Sequence, residues 1–365
     1  MYHIPELVVA FCISLLSTLI LVYPIKKLAM KIGAIDHPNY RKVHTKATPR
    51  LGGLAIFLGV VIGLLYIRPE HPQLLEIVLG AFIIVITGLL DDKYQLKPIL
   101  KLSGQIAATI IVISSGLIID RITIPLLGVI ELHGWSIIVT FFWIIGITNA
   151  INLIDGLDGL AAGVSTIALM SITVMAFMDY RMTVIYFCIV LIASNLGFLF
   201  HNFHPAKIYM GDTGSMFLGY SIAVISIMGL FKNITLFSFV IPIIVLAVPI
   251  FDTLFAMLRR FINGESIMMP DKKHFHHNLL AAGFSHRATV LIIYGFSAVF
   301  GISAIVFSNA SLVVSILISF VILLLLHIIA EVVGIVGKGK RPIVQLTRKS
   351  VMKIKNKKQV KSSSN

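Results

Sequence analysis

Asn149, Asn152, Asp155 and Asp158 recur every third residue within an otherwise apolar run, interrupted by Gly156 and Gly159. On a helix each such step turns about 300°, so neighbouring members share a face. Carboxylates in or beside lipid persist mainly where they bind ions or do chemistry. The glycines would loosen the helix end and let backbone approach a ligand. Asp158 taken alone also reads as an N-cap for the next helix, which does not account for the other three.

Other constellations carry similar chemistry. Asp91 and Asp92 close an apolar run, at a helix C-terminus whose dipole opposes negative charge. A bound cation would relieve that conflict, as would Lys93 and Lys97; the plain alternative is a solvated pair at the membrane edge. Between His201 and Ser215, Asp212 precedes a helix start. It either caps that helix or holds Mg²⁺ through oxygen, beside N–H groups that attract phosphate. Tyr209 either stacks on a base or belongs to an interfacial aromatic belt. Arg259, Arg260, Lys272 and Lys273 lie near Asp271, His274, His276 and His277. Imidazoles among cations suit a phosphate or sugar phosphate, and their spacing lacks the i, i+4 pair of a zinc helix. The alternative for the cations is anchoring on the inner membrane face. Lys46 and Arg50, in a basic loop ending Gly52-Gly53, give a weaker phosphate signal. Asp252, after Pro249 in an apolar segment, is functional or pairs with a basic group.

The elements that must position these residues follow from composition. The 365 residues are 58% hydrophobic and 13% charged, with mean hydropathy +0.97. A soluble domain is about half apolar and a quarter charged. The apolar runs are long and continuous, which in a bilayer means helices. The expected fold is all-α and polytopic, with about eleven transmembrane helices at 6–30, 52–67, 74–90, 99–118, 136–153, 159–178, 183–200, 214–230, 234–258, 288–307 and 311–335. Residues 120–134 alternate weakly and suit a small extracytoplasmic β-hairpin. With the N-terminus outside, 26 of the 30 Lys and Arg residues fall on the inner side, leaving Arg68, Arg121, Arg181 and Lys232 outside. The C-terminus is then cytoplasmic, and so are the acids and histidines of interest. Residues 1–335 form one integral-membrane domain and 336–365 a basic cytoplasmic tail resting on anionic lipid.

The first apolar segment lacks a preceding basic region and is followed by Lys26, Lys27 and Lys31, unlike a cleaved signal. Cys12 and Cys188 fall in spans, against a disulfide or zinc site. The lipid bilayer is the expected environment, and no nucleic-acid partner is expected. A cation-coupled transporter would spread acids through mid-membrane positions; here they crowd the inner ends, and no internal repeat is evident.

Taken jointly, Asp91-Asp92, the Asn149–Asp158 series, Asn202-x-His204-Pro-Ala-Lys207 running into Gly211-Asp212-Thr-Gly-Ser, and His274-x-His276-His277 closely resemble the polyprenyl-phosphate N-acetylhexosamine-1-phosphate transferases (glycosyltransferase family 4), from residue 44 to 277. Pro270-Asp271-x-x-His274-x-His276-His277 resembles the branch that uses UDP-GlcNAc, and the whole is similar to the Gram-positive enzymes that start wall teichoic acid synthesis. The resemblance implies attack of undecaprenyl phosphate on the β-phosphorus of UDP-GlcNAc, giving undecaprenyl-diphospho-GlcNAc and UMP. Another UDP-sugar, such as UDP-MurNAc-pentapeptide, is the alternative donor. It implies Mg²⁺ (or Mn²⁺) on Asp212, and Asp91 and Asp92 beside the lipid phosphate, one of them orienting or deprotonating it. Asp155 and Asp158, with Asn149, Asn152, Asn202, Tyr209 and the backbone of Gly156 and Leu157, would hold uridine and diphosphate. Arg260, His274, His276 and His277 would grip diphosphate and sugar, with Lys46 and Arg50 as further phosphate ligands. Relatives suggest a homodimer, and the site faces the cytoplasm at the plasma membrane. The charge of +14 agrees, since lipid phosphate and UDP-sugar are both anionic.

Overall fold

A computed structural model describes residues 4–36, 47–124, 128–229, 240–262, 264 and 274–333. In chain order, α1 (Ile4–Ile32) leads through β1 (Ile35–Asp36) and β2 (Thr48–Pro49) to α2 (Gly52–Ile67). Then come α3 (Leu74–Tyr94), α4 (Pro98–Ser114), the strands β3 (Arg121–Ile124) and β4 (Gly128–Glu131), α5 (Trp135–Ile154), α6 (Leu160–Met178), α7 (Met182–Asn202) and α8 (Gly211–Gly229). The described chain closes with α9 (Val240–Val245), α10 (Ala247–Ile262), α11 (Phe275–Ala281), α12 (His286–Ser308) and α13 (Leu312–Val333). Seven helices, α1, α3, α5, α6, α7, α12 and α13, are long and apolar enough to cross a membrane, so the protein is an all-α polytopic membrane protein. The expected hairpin is present: β3 and β4 pair antiparallel, Arg121 opposite Glu131.

The helix α8 is the centre of the bundle. Every residue of it except Asp212 and Ser221 is buried, and it packs on α2, α3 and α5. Backbones approach closely there because side chains are missing, as membrane helices often arrange. A Cβ on Gly53 of α2 would overlap Gly214, and one on Gly88 of α3 would overlap Thr213. These two glycines draw the N-terminus of α2 and the C-terminus of α3 onto the first turn of α8.

Three segments differ from expectation. The span expected at 234–258 is broken at Leu246 into α9 and α10, with 234–239 outside the described residues. Pro249 has no N–H for the carbonyl of Val245, so the helical ladder is interrupted there. The α3 helix runs past 90 to Tyr94, carrying Asp91 and Asp92 inside it, and ends where Gln95 takes a left-handed conformation. The short helix α11 lies where only a loop was expected.

Candidate active site

Asp91, Asp92 and Asp212 meet at one end of the bundle, each with a carboxylate oxygen within 4.8 Å of the others. The conflict expected between Asp92 and its own helix dipole is resolved by a different helix. Asp92 accepts hydrogen bonds from the backbone N–H of Asp212 (2.8 Å) and of Thr213 (3.1 Å) and from the Thr213 hydroxyl (2.6 Å). It therefore caps α8 across the bundle, and charge there complements the positive end of that dipole. Asp212 follows Gly211, whose φ of +71° is one glycine adopts without strain and whose Cβ would strike the Asp92 carboxylate.

Two cations bracket the trio. The Arg50 guanidinium lies 3.8 Å from Asp36, 3.8 Å from Asp92 and 3.6 Å from Asp212. Lys101, in the first turn of α4, touches the Asp212 carboxylate and lies 3.6 Å from Asp91. Arg50 was anticipated as a phosphate group; Lys101 was not, because in sequence it is one more inner-face cation. Its signal was its place at the start of an apolar helix, one turn before Gln105. Asp91 uses one oxygen to accept from Leu96 N–H (3.0 Å), closing the α3–α4 turn. Of the three acids, Asp91 and Asp212 thus keep more capacity for a ligand than Asp92. A set of carboxylate oxygens at this spacing fits a hard divalent cation.

Asn149 and Asn152 lie on α5, with Asp155 just beyond its end, and the structure shows what each meets. Asn149 donates to Gln105 Oε1 (2.7 Å) and Asn152 to Ser215 Oγ (2.8 Å), tying α5 to α4 and α8. Asp155 follows α5 directly. Burial raises its pKa to about 7, nearby Arg50 lowers it, and Asp92 and Asp158 raise it further. Gly156 faces the His276 ring so closely that a Cβ would overlap it.

Asp158 is turned to the 204–206 loop, accepting from Ala206 N–H (3.0 Å) and bonding His204 Nδ1 (2.7 Å). It does not cap α6, whose N-cap residue is Gly159 and which has no side-chain cap. His286 Nε2 lies 4.0 Å from the same carboxylate oxygen. Asp158, His204 and His286 are close enough in distance for a metal. However, the two imidazoles stack at 4.1 Å with planes only 19° apart. A ring nitrogen binds metal in its ring plane at about 2.0 Å, and planes so nearly parallel do not meet there. The carboxylate trio is the better cation site.

Asn202, expected to bind substrate, has both ends of its amide engaged by backbone. It is 4% exposed, accepting from Gly159 N–H (2.9 Å) and donating to the Ile208 carbonyl (2.9 Å). Both ends of its amide are engaged, so it staples the loop before α6 to the loop before α8. Tyr209 is carried by backbone pairing of 209–210 with 49–53. Its hydroxyl pKa is pushed up to about 12, by burial first, then by Asp158, Asp36 and Asp155 against a lowering bond from Thr48. Tyr209 is therefore within electrostatic reach of both α5–α6 acids.

The histidine face is built by α10 and α11. His274 and His276 are buried, with rings parallel at 6.0 Å, and His277 lies 4.2 Å from His276. His276 is 2% exposed and, among the described residues, neither ring nitrogen has a hydrogen-bond partner. Burial, then neighbouring His277, His274 and His286, hold its pKa well below the ordinary range, so it is a neutral imidazole. It offers the site a hydrogen bond, not a charge. Arg260 is buried on α10, while Arg259 donates to the Val333 carbonyl at the end of α13 (3.0 Å). Lys46 and Asp271 lie outside the described residues.

Residues 74–230 match the model of the glycosyl transferase family 4. The chain is 51% identical over 349 residues, 95% of it and 97% of the relative, to a probable undecaprenyl-phosphate N-acetylglucosaminyl 1-phosphate transferase of Bacillus subtilis. It is 38% identical to the decaprenyl-phosphate N-acetylglucosaminephosphotransferase of Mycobacterium tuberculosis over 78% of this chain and 79% of that one. The undecaprenyl-phosphate alpha-N-acetylglucosaminyl 1-phosphate transferase of Escherichia coli shares 28% identity over 77% of this chain and 78% of its own.

Proposed function

The chain belongs to glycosyl transferase family 4, and on that premise we propose that it transfers GlcNAc-1-phosphate from UDP-GlcNAc to undecaprenyl phosphate. The products are undecaprenyl-diphospho-GlcNAc and UMP, in the first membrane step of wall teichoic acid synthesis. The observation that carries this reading is the carboxylate trio bracketed by Arg50 and Lys101. Phosphoryl transfer needs positioning and charge neutralisation more than covalent help. An oxygen of the lipid phosphate bonds the β-phosphorus, the bond from that phosphorus to the bridging oxygen breaks, and UMP leaves with that oxygen.

The residues divide as follows. Arg50 and Lys101, engaged with carboxylates at rest, transfer part of their hydrogen bonding to incoming phosphate oxygens. Asp91 orients the lipid phosphate or takes its proton. Asp212, with Asp91, would hold Mg²⁺, or Mn²⁺ in its place, which supplies neutralisation of charge on the transferring group. Asp92 fixes the first turn of α8 so that Asp212 is aimed. Asp155, the Gly156 and Leu157 backbone, and Tyr209 face the nucleotide. His276 donates to or accepts from the diphosphate or sugar, with His274, His277 and Arg260 around it. Asn149, Asn152, Asp158 and Asn202 hold the frame.

The same reading places about eleven spans across the plasma membrane, with the N-terminus outside, the site and C-terminus in the cytoplasm, and the chain as a homodimer. Residues 1–335 form one catalytic domain, and 336–365 a basic tail. The inner-face excess of Lys and Arg supports that orientation. The test is UMP release by purified protein supplied with undecaprenyl phosphate, Mg²⁺ and competing donors. UDP-GlcNAc should be consumed ahead of UDP-MurNAc-pentapeptide and UDP-GalNAc. Absence of UMP with the lipid verified as present rejects the transferase reading, and preference for another donor replaces only the sugar.

A further inference from the structure

Asp252 sits on α10, is 1% exposed, and has no part in the reaction as laid out above. Its two oxygens are both used, and both on one short stretch. One accepts from the Phe275 backbone N–H (2.8 Å), and the other bonds His274 Nδ1 (3.0 Å). Phe275 opens α11, and His274, the residue before it, makes no side-chain cap of its own. The same carboxylate thus fixes the start of α11 and the ring of His274. Because a carboxylate can only accept, the bond places a proton on Nδ1 of His274 and leaves Nε2 as the other functional atom. Two residues on, within the first turn of α11, stands His276, whose Nε2 lies against Gly156 and whose ring nitrogens have no hydrogen-bond partner among the described residues.

We propose that Asp252 is a positioning residue for the histidine face: it sets the tautomer of His274 and the seat of α11, and through them the reach of His276 toward the nucleotide donor. The proposal rests on the transferase reading for what the histidine face meets. The chemistry of the pair argues for more than packing. A neutral residue would cap α11 as well, and an ionised carboxylate in the interior is costly unless paired. Asn at this position has one acceptor for two donors. It would satisfy Phe275 N–H and turn its amide N–H₂ toward Nδ1, driving the His274 proton to Nε2.

Two measurements test this. In ¹⁵N-histidine-labelled wild-type protein, the signal lost in His274→Ala should report a proton on Nδ1; a His274 protonated on Nε2 alone overturns the proposal, whether or not the protein turns over any donor. In the UMP assay, Asp252→Asn should lower turnover with UDP-GlcNAc roughly tenfold or more, with the KM for lipid phosphate unchanged. In a His274→Ala background the same substitution should cost little further, because its effect runs through His274. Additive losses, or an Asp252→Asn enzyme at wild-type rate, overturn it. An inactive wild type counts against the transferase reading alone, and the labelled-histidine measurement still decides the tautomer.

Discussion

The two sides of the site are built on opposite principles. The acidic side, at the junction of α3, α4 and α8, is compensated from within: Asp92 takes three hydrogen bonds, and Asp212 is held in ion pairs with Arg50 and Lys101. The histidine side, on α10 and α11, secures His274 through Asp252 but leaves both nitrogens of the buried His276 imidazole without a hydrogen-bond partner among the described residues. A satisfied polar cluster is stable as it stands and must exchange partners to bind a ligand. An unsatisfied one carries a cost that a ligand relieves. Damage to the first should therefore show in stability when a capping group is lost and in activity when a cation-binding carboxylate is lost. Damage to His276 on the second should show in activity alone.

The largest effect is expected from Asp212→Asn. It keeps size, and Asp92 still caps α8, so thermal unfolding in detergent should be near wild type while Mg²⁺-dependent UMP release falls at least about 1,000-fold. Near-normal turnover would remove Asp212 from the site. His276→Ala should cost about 100-fold in turnover yet leave stability unchanged or raised, since it deletes two unsatisfied buried atoms; a destabilised variant would erase the contrast between the two sides. Zinc chelators should not affect the rate.

Asn202→Ala should reverse that pattern. It strands the Gly159 N–H and the Ile208 carbonyl, so about 2 kcal/mol of stability should be lost with the donor KM little changed in whatever protein folds. A selective rise in donor KM would return Asn202 to the ligand. The smallest effect belongs to Asp155. Its native pKa of about 7 lies above the ordinary 3.8, so the folded state binds its proton more tightly than the unfolded chain does. The stability this contributes is whole below about pH 4 and is lost as pH rises through 7. Asp155→Asn should therefore raise the Tm at pH 8 relative to wild type by roughly 1–2 °C, with no gain at pH 4. An equal gain at both pH values would mean the charge is not what strains the site.

Much of this frame was legible because membrane helices announce themselves through long apolar runs; the α2 boundaries agree with the expected 52–67. The motif acids were legible because carboxylates near lipid are rare. What pairs with what was not. The Asp92–Thr213 contact joins residues 121 apart, and no local pattern encodes it. Lys101 is hidden among the inner-face cations, and the two backbone partners of Asn202 lie too far along the chain for a local pattern to show them. The α9–α10 break was visible in principle, since Pro249 stands inside the run. The α11 helix was not, being seven residues long with its seat supplied by Asp252 from another helix.

The Asp92 cap also has a consequence for biogenesis. The acid and the helix it completes enter the membrane at different times, with α4 to α7 inserted between them. Until α8 has arrived and found Asp92, its first turn lacks that acceptor and Asp212 has no fixed aim. A nascent chain halted before that meeting lacks the acidic side of the centre, and one halted before α11 still lacks the histidine side.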